Sequence, residues 1–114
     1  MQDRLDVKYV KEPIRYIFSI SDNGNIKSVV ELIIIYDIFG GRPSAYIHKV
    51  YTAEKYQRQG FATKLLNDAI NKAKEMNCYK VFLVCDDKLV DFYERLGFFI
   101  DQHSMRYNVE VNNY

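Results

Sequence analysis

The sequence predicts a mixed α/β fold in which an antiparallel meander leads into a parallel β-α-β unit. Three observations carry that class. Apolar residues alternate with polar ones on either side of a turn signal in the first half of the chain. From Phe61 the apolar period lengthens to that of a helix, and a short apolar run of strand length follows at 80–85.

The elements follow in order. Ile14, Tyr16, Phe18 and Ile20 alternate with Arg15, Ser19 and Ser21, as in a half-buried strand. Asp22-Asn23-Gly24-Asn25 tolerates positive φ and leads into a β-branched run from Ile26 to Phe39, so the pair reads as a hairpin. Gly40-Gly41-Arg42-Pro43 ends that strand, and Ala45 to Thr52 is a third extended segment. Phe61, Ala62, Leu65, Leu66, Ala69, Ile70, Ala73 and Met76 then fall on one helical face, with Lys64, Asn67, Asp68, Asn71, Lys72 and Glu75 opposite. Asn77 is the expected stop. Lys80 to Cys85 reads as a strand buried on both sides. Asp86 or Asp87 caps a second helix on which Leu89, Phe92, Tyr93 and Leu96 repeat, and Gly97 stands at its left-handed end. Phe98 to Ile100 and Met105 to Val111 are candidate final strands, and the crossover is expected to be right-handed.

The chain has 114 residues, 48% of them hydrophobic, which predicts a single domain over 1–114 with one core. A formal charge of +1 supplies no basic field, so neither nucleic acid nor an anionic membrane is an expected partner. The longest aliphatic run, Leu32 to Ile35, is far short of the roughly 20 residues of a bilayer span. Met1-Gln2-Asp3-Arg4-Leu5-Asp6 has no apolar core and no cleavage site, so a cytoplasmic protein is expected, with Cys78 and Cys85 as thiols. Two cysteines and two distant histidines do not make a structural zinc site. Cys85 has no local histidine or orienting group to make it a nucleophile, and reads as a small buried hydrophobe.

The segment with chemistry is Gln57-Arg58-Gln59-Gly60-Phe61-Ala62, which follows a strand and opens a helix. A glycine and a small residue there let backbone approach a ligand, and the unpaired N–H groups of a first helical turn suit an anion, with Arg58 beside them. An ordinary loop before an unliganded helix start explains these six residues equally well. No nucleotide P-loop and no dinucleotide glycine fingerprint is present.

In this context the chain resembles the GNAT superfamily of N-acetyltransferases, whose pyrophosphate loop reads Arg/Gln-x-x-Gly-x-Gly/Ala; Gln57, Gly60 and Ala62 match it. Asp91-Phe92-Tyr93-Glu94-Arg95-Leu96-Gly97-Phe98 is similar to a second family block, and Asn77-Cys78-Tyr79-Lys80-Val81 resembles a segment of the family's glucosamine-6-phosphate branch. The resemblance runs from about Ile14 to Val109. It implies a GNAT-like fold and an acetyl-CoA-dependent N-acetyltransferase acting on a primary amine, foremost an amino sugar such as glucosamine 6-phosphate. It implies that Gln57, Arg58, Gln59, Gly60, Phe61, Ala62 and Thr63 hold the acetyl-CoA pyrophosphate. Strand amides at Val50 and Thr52 would receive the pantetheine and acetyl groups, and Tyr93 would protonate the leaving thiolate. A homodimer is also implied, and fits a short chain with ten tyrosines.

Several positions depart from that branch. Only about a dozen residues precede the Ile14 strand, so the fold is expected to be shortened at its start. His48-Lys49 replaces an adjacent Glu-Asp pair, Val84 an aspartate and Leu89 an asparagine. On an alternating strand His48 and Lys49 would face opposite sides. His48 then reads either as the group that relays the amine's proton or as a half-covered strand histidine. Tyr93 is either the general acid or a core aromatic. Arg15, Arg42 and Lys49 are candidates for gripping a substrate phosphate, or solvated charges. His103 receives no role. Two other functions stay open: acetylation of a protein or peptide amine, and a CoA-binding or dimerisation module without catalysis.

Overall fold

The computed structural model describes residues 14–109, which fall into two compact units divided between Leu83 and Val84. In the first, β1 (Ile14–Asp22), β2 (Asn25–Ile35), β3 (Ser44–Thr52) and β4 (Val81–Phe82) form one sheet in the order β1-β2-β3-β4. The first two pairings are antiparallel and the third parallel, with α1 (Phe61–Glu75) crossing between β3 and β4. This is the meander and β-α-β unit expected.

The hairpin forms where the turn residues demand it. Asn23 and Gly24 have φ of 50° and 80°, the two consecutive positive values that a two-residue turn matched to strand twist requires. β2 supplies the core: Ser28, Val30, Leu32 and Ile34 point to one face and are fully buried, with Ala45 and Ile47 of β3 beside them. Leu65, Leu66, Ala69 and Ala73 of α1 are the helix's buried stripe. Tyr16, opposite Leu32, belongs to the same face, and its hydroxyl lies 3.6 Å from the Met76 sulfur. Asn77 ends α1 at φ 61°; its N–H bonds the Lys74 carbonyl and that of Cys78 the Ala73 carbonyl, each at 3.0 Å. These two hydrogen bonds satisfy two carbonyls of the last helical turn without a glycine.

Two strand expectations need correction. β2 stops at Ile35 and does not reach Phe39. Asp37 is the reason: its Oδ2 accepts the N–H groups of Phe39 (3.1 Å) and Gly41 (2.9 Å), folding the chain into a side-chain turn. β4 pairs over only Val81 and Phe82, where a strand to Cys85 buried on both sides was expected; these residues are half-buried and Val84 is exposed. β3 carries a bulge just beyond Tyr46, the last residue paired to β4, and a bulge bends its strand away from a neighbouring ladder.

The second unit holds a 3-10 turn at Asp87–Leu89 and α2 (Val90–Arg95). Asp86 takes the cap position without a side-chain cap bond. Gly97, at φ 102°, ends α2 as expected: its N–H bonds the Glu94 carbonyl and that of Phe98 the Tyr93 carbonyl. The final strands do not form among the described residues of this unit, and positions 110 and 111 lie outside them. β-forming side chains make a strand only with a ladder partner, and the described residues of this unit contain none; Met105 is 92% exposed.

Candidate active site

The register of β2 against β3 builds the first part of the site. Glu31 pairs with Lys49 and Leu32 with Ile47, which leaves His48 as the extra residue of a bulge. Strict alternation would send His48 and Lys49 to opposite faces. The bulge overturns that expectation: Lys49 lies opposite Glu31, and His48 reaches the same carboxylate, both on the face away from α1. Arg15 of β1 joins them. Its Nε donates to Glu31 Oε2 at 2.8 Å and its Nη2 to the same oxygen, while His48 Nδ1 lies 2.5 Å from Glu31 Oε1. Glu31 is only 7% exposed. The bonds from His48 and then Arg15 hold its carboxyl below the usual carboxylate range against the opposing effect of burial. The Tyr46 ring stands 5.7 Å from the His48 ring and stacks on Phe82 at 4.9 Å.

The backbone of β3 makes the second part. Ala53 N–H bonds the Lys27 carbonyl at 2.8 Å, so alternation turns the main-chain groups of Thr52 and Val50 away from β2, toward the side on which β4 has ended. The Thr52 hydroxyl is tied to Ser28 Oγ at 2.9 Å, so what Thr52 offers outward is backbone.

After a 3-10 turn at Glu54–Tyr56 the chain enters α1 through two left-handed residues, Arg58 at φ 64° and Gly60 at φ 84°. An arginine in that region costs about 1–2 kcal/mol. Gly60 is the cap residue, no side chain caps the helix, and no acidic residue lies in its first turn. The first-turn N–H groups of Phe61, Ala62 and Thr63 therefore have neither an intrahelical carbonyl nor a cap. A Cβ built on Gly60 meets nothing within 4 Å, so its conformation, not crowding, calls for glycine. Gln57 and Gln59 staple the loop: their amide nitrogens donate to the Thr52 and Lys55 carbonyls, each at 3.2 Å. Lys27, which no motif marks, lies 4.8 Å from the Tyr56 ring centre and 5.6 Å from that of Phe61, bringing a cation beside the helix entrance.

Other candidates have different surroundings. Arg42 donates to the carbonyls of Asn77 (3.1 Å) and Cys78 (2.9 Å), fastening the β2–β3 connection to the end of α1. It borders an open depression of about 440 Å³ with Asp37, Ser44 and Tyr79. That depression lies at the Ser44 end of β3, and the strand places it roughly 25 Å from Thr52. In the second unit Tyr93 is 7% exposed, edge-on to Phe92 and Phe98 at 5.0 and 5.8 Å. Burial, and then Cys85, raises its phenol above the ordinary range, so it keeps its proton at neutral pH. Arg95 Nε donates to the Asp91 carbonyl within α2. Cys78 and Cys85 are free thiols, both pushed up by burial.

Glu31 is the residue that sequence reasoning missed. The available signal was a lone carboxylate inside Val29-Val30-Glu31-Leu32-Ile33-Ile34, but its partners come from β1 and β3 and depend on register.

A loop of left-handed turns and an uncapped helix start together suit an anion such as a phosphate. The Acetyltransferase (GNAT) family model matches residues 2–98, and the chain belongs to that family. A glucosamine 6-phosphate N-acetyltransferase of Trypanosoma brucei brucei is 34% identical over 67 residues, 59% of this chain and 46% of the relative. The match thus spans under half of that protein. The crystal structure of a Trypanosoma brucei acetyltransferase is similar with a TM-score of 0.76 at 28% identity, covering 85% of this chain and 69% of that one. Glucosamine-6-phosphate N-acetyltransferase from Arabidopsis thaliana has a TM-score of 0.79 at 21% identity, covering 84% and 67%. The GNAT fold is common to them.

Proposed function

We propose that this chain binds acetyl-CoA and transfers its acetyl group to a primary amine, foremost that of an amino sugar such as glucosamine 6-phosphate. The observation that carries the reading is the entrance to α1, where the free first-turn amides and Arg58 come one 3-10 turn after a β3 edge no longer paired to β4. Bound acetyl-CoA would supply a thioester already activated toward an amine. Phe61, Ala62 and Thr63 donate their backbone N–H groups to the pyrophosphate, and Gln57 and Gln59 hold the loop in shape. The outward backbone groups of Val50 and Thr52 orient the pantetheine arm and the acetyl group. His48 Nε2 accepts the proton of the acceptor amine, and the Tyr93 hydroxyl gives its proton to the sulfur. The 34% identical relative supports an amino-sugar acceptor. A homodimer within a reducing compartment and a single domain over the whole chain belong to the same reading.

The substitution of His48-Lys49 for a carboxylate pair favours weaker discrimination among acceptors, since a site with fewer hydrogen-bonding groups leaves fewer unpaired by a wrong ligand. A CoA-release assay over amino sugars, their phosphates and peptide amines tests this. Turnover is expected with amino sugars at millimolar concentration. Turnover with peptide amines alone would move the acceptor to protein, and acetyl-CoA binding without any turnover would leave a binding module.

A further inference from the structure

Glu31 lies in β2, outside every sequence block that matches the family's loops, and it is the one acidic side chain among the buried residues of the described sheet. A carboxylate taken out of water persists only where it is paired and hydrogen-bonded. Arg15 meets that need at Oε2 alone, through two guanidinium nitrogens. The other oxygen, Oε1, is given to His48 Nδ1 at 2.5 Å, although the His48 side chain remains 53% exposed. The bulge creates this contact, because it is the extra residue in β3 that carries the imidazole to the Glu31 face. Around the pair stand Arg15 from β1 and Tyr46 and Lys49 from β3; the Tyr46 ring flanks the imidazole.

We propose that Glu31 is the positioning residue for His48, holding the imidazole with its proton on Nδ1 and its Nε2 lone pair outward to receive the acceptor's proton. An ionised carboxylate has no hydrogen to give, so the hydrogen of the short contact belongs to Nδ1. The tautomer of a neutral imidazole is set by the bond its other nitrogen makes, and here that leaves Nε2 as the basic atom. When the amine N–H bond breaks, the N–H bond forms at Nε2 and the ring becomes an imidazolium. Nδ1 keeps its hydrogen, and Glu31 remains ionised and stabilises the new charge. The proposal rests on the reading of His48 as proton acceptor, and supplies the carboxylate that β3 itself lacks from the neighbouring strand.

Two measurements on the full chain test it. Nitrogen-15 NMR of the imidazole is expected to show His48 in the Nδ1–H form in the wild type and a shift toward Nε2–H in Glu31→Gln. In kinetics, E31Q is expected to lower kcat by about 10-fold or more, between the 10–100-fold cost of losing a partner that orients a metal-bound histidine and the larger cost where a carboxylate orients a catalytic one, with KM for acetyl-CoA unchanged. Glu31→Asp, which keeps the charge, is expected to retain more of kcat than E31Q. In a His48→Ala background the same E31Q change is expected to cost nothing further. An identical tautomer in wild type and E31Q, or an equal loss of kcat in the presence and absence of His48, would overturn the proposal. Wild-type turnover in His48→Ala would instead remove the reading on which it rests, and the tautomer comparison, which needs no turnover, tells the two failures apart.

Discussion

The two faces of the same four-stranded sheet differ in burial and in charge: on the Glu31 face Val29 and Ile33 are half-buried and Ile35 is exposed. On the α1 side, β2 presents Ser28, Val30, Leu32 and Ile34 without a gap in the burial, and the one polar member, Ser28, is satisfied by the Tyr51 carbonyl and the Thr52 hydroxyl. On the other side the same strand presents Glu31, ringed by Arg15, His48 and Lys49 from its neighbours. One residue of bulge separates these patterns along β3. The lesson is that the fold is secured by strict alternation and the candidate chemistry arises where alternation breaks, since a bulge is the cheapest way to put two consecutive side chains on one face.

The largest expected effect is on the α1 face. Leu32→Ala removes a fully buried side chain between β2 and the helix and is expected to lower the unfolding free energy by about 2–5 kcal/mol in a urea melt. His48→Ala, on the far face and half-exposed, removes little buried apolar area but leaves Glu31 Oε1 without its partner, and is expected to cost about 1 kcal/mol, less than Leu32→Ala. Equal losses for the two would end the division of labour between the faces.

The next effect is kinetic. Tyr93→Phe keeps the ring contacts with Phe92 and Phe98 and deletes only the hydroxyl. If that hydroxyl serves as general acid, kcat falls by about 10²–10⁴ while KM for acetyl-CoA stays near the wild-type value. Unchanged kcat would return Tyr93 to the role of a core aromatic.

The smallest effects are in the pH dependence of stability, and they have opposite signs. Glu31 has a depressed pKa in the folded chain, so its contribution is complete above the ordinary value of 4.5 and is lost as pH falls through the depressed one. The stability difference between wild type and E31Q should therefore shrink on acidification below about pH 4.5. Tyr93 has a raised pKa, so above the ordinary value of 10.0 the unfolded chain ionises first and the wild type loses stability that Tyr93→Phe retains. Melts across both ranges check the signs; a difference that grows on acidification would contradict the Glu31 assignment.

Much of the α1 face was legible in the sequence because its signals are local. Asn23-Gly24, the three-and-four spacing from Phe61, and Asn77 each act within one turn or strand, and each element appears where they place it. The loop at Gly60 was legible for the same reason. The far face was not, because Arg15, Glu31 and His48 are brought together by strand register across 16 and 17 residues, and the bulge that sets this register leaves no mark in β3 itself. The apolar runs after Val84 looked like strands because β propensity says nothing about whether a partner strand exists.

Acetyl-CoA binding at the α1 entrance is the claim on which the rest depends, and a thermal shift tests it most directly. Ligand at a hundredfold excess over Kd stabilises a folded protein by about 2.7 kcal/mol, so acetyl-CoA is expected to raise the Tm of the wild type clearly. Gly60→Asp has room for its side chain and, at φ 84°, a backbone strain of about 1–2 kcal/mol, small enough for the chain to fold, and it places a negative charge against the first-turn amides. The account predicts that this variant folds and shows no shift; a shift equal to that of the wild type would contradict it.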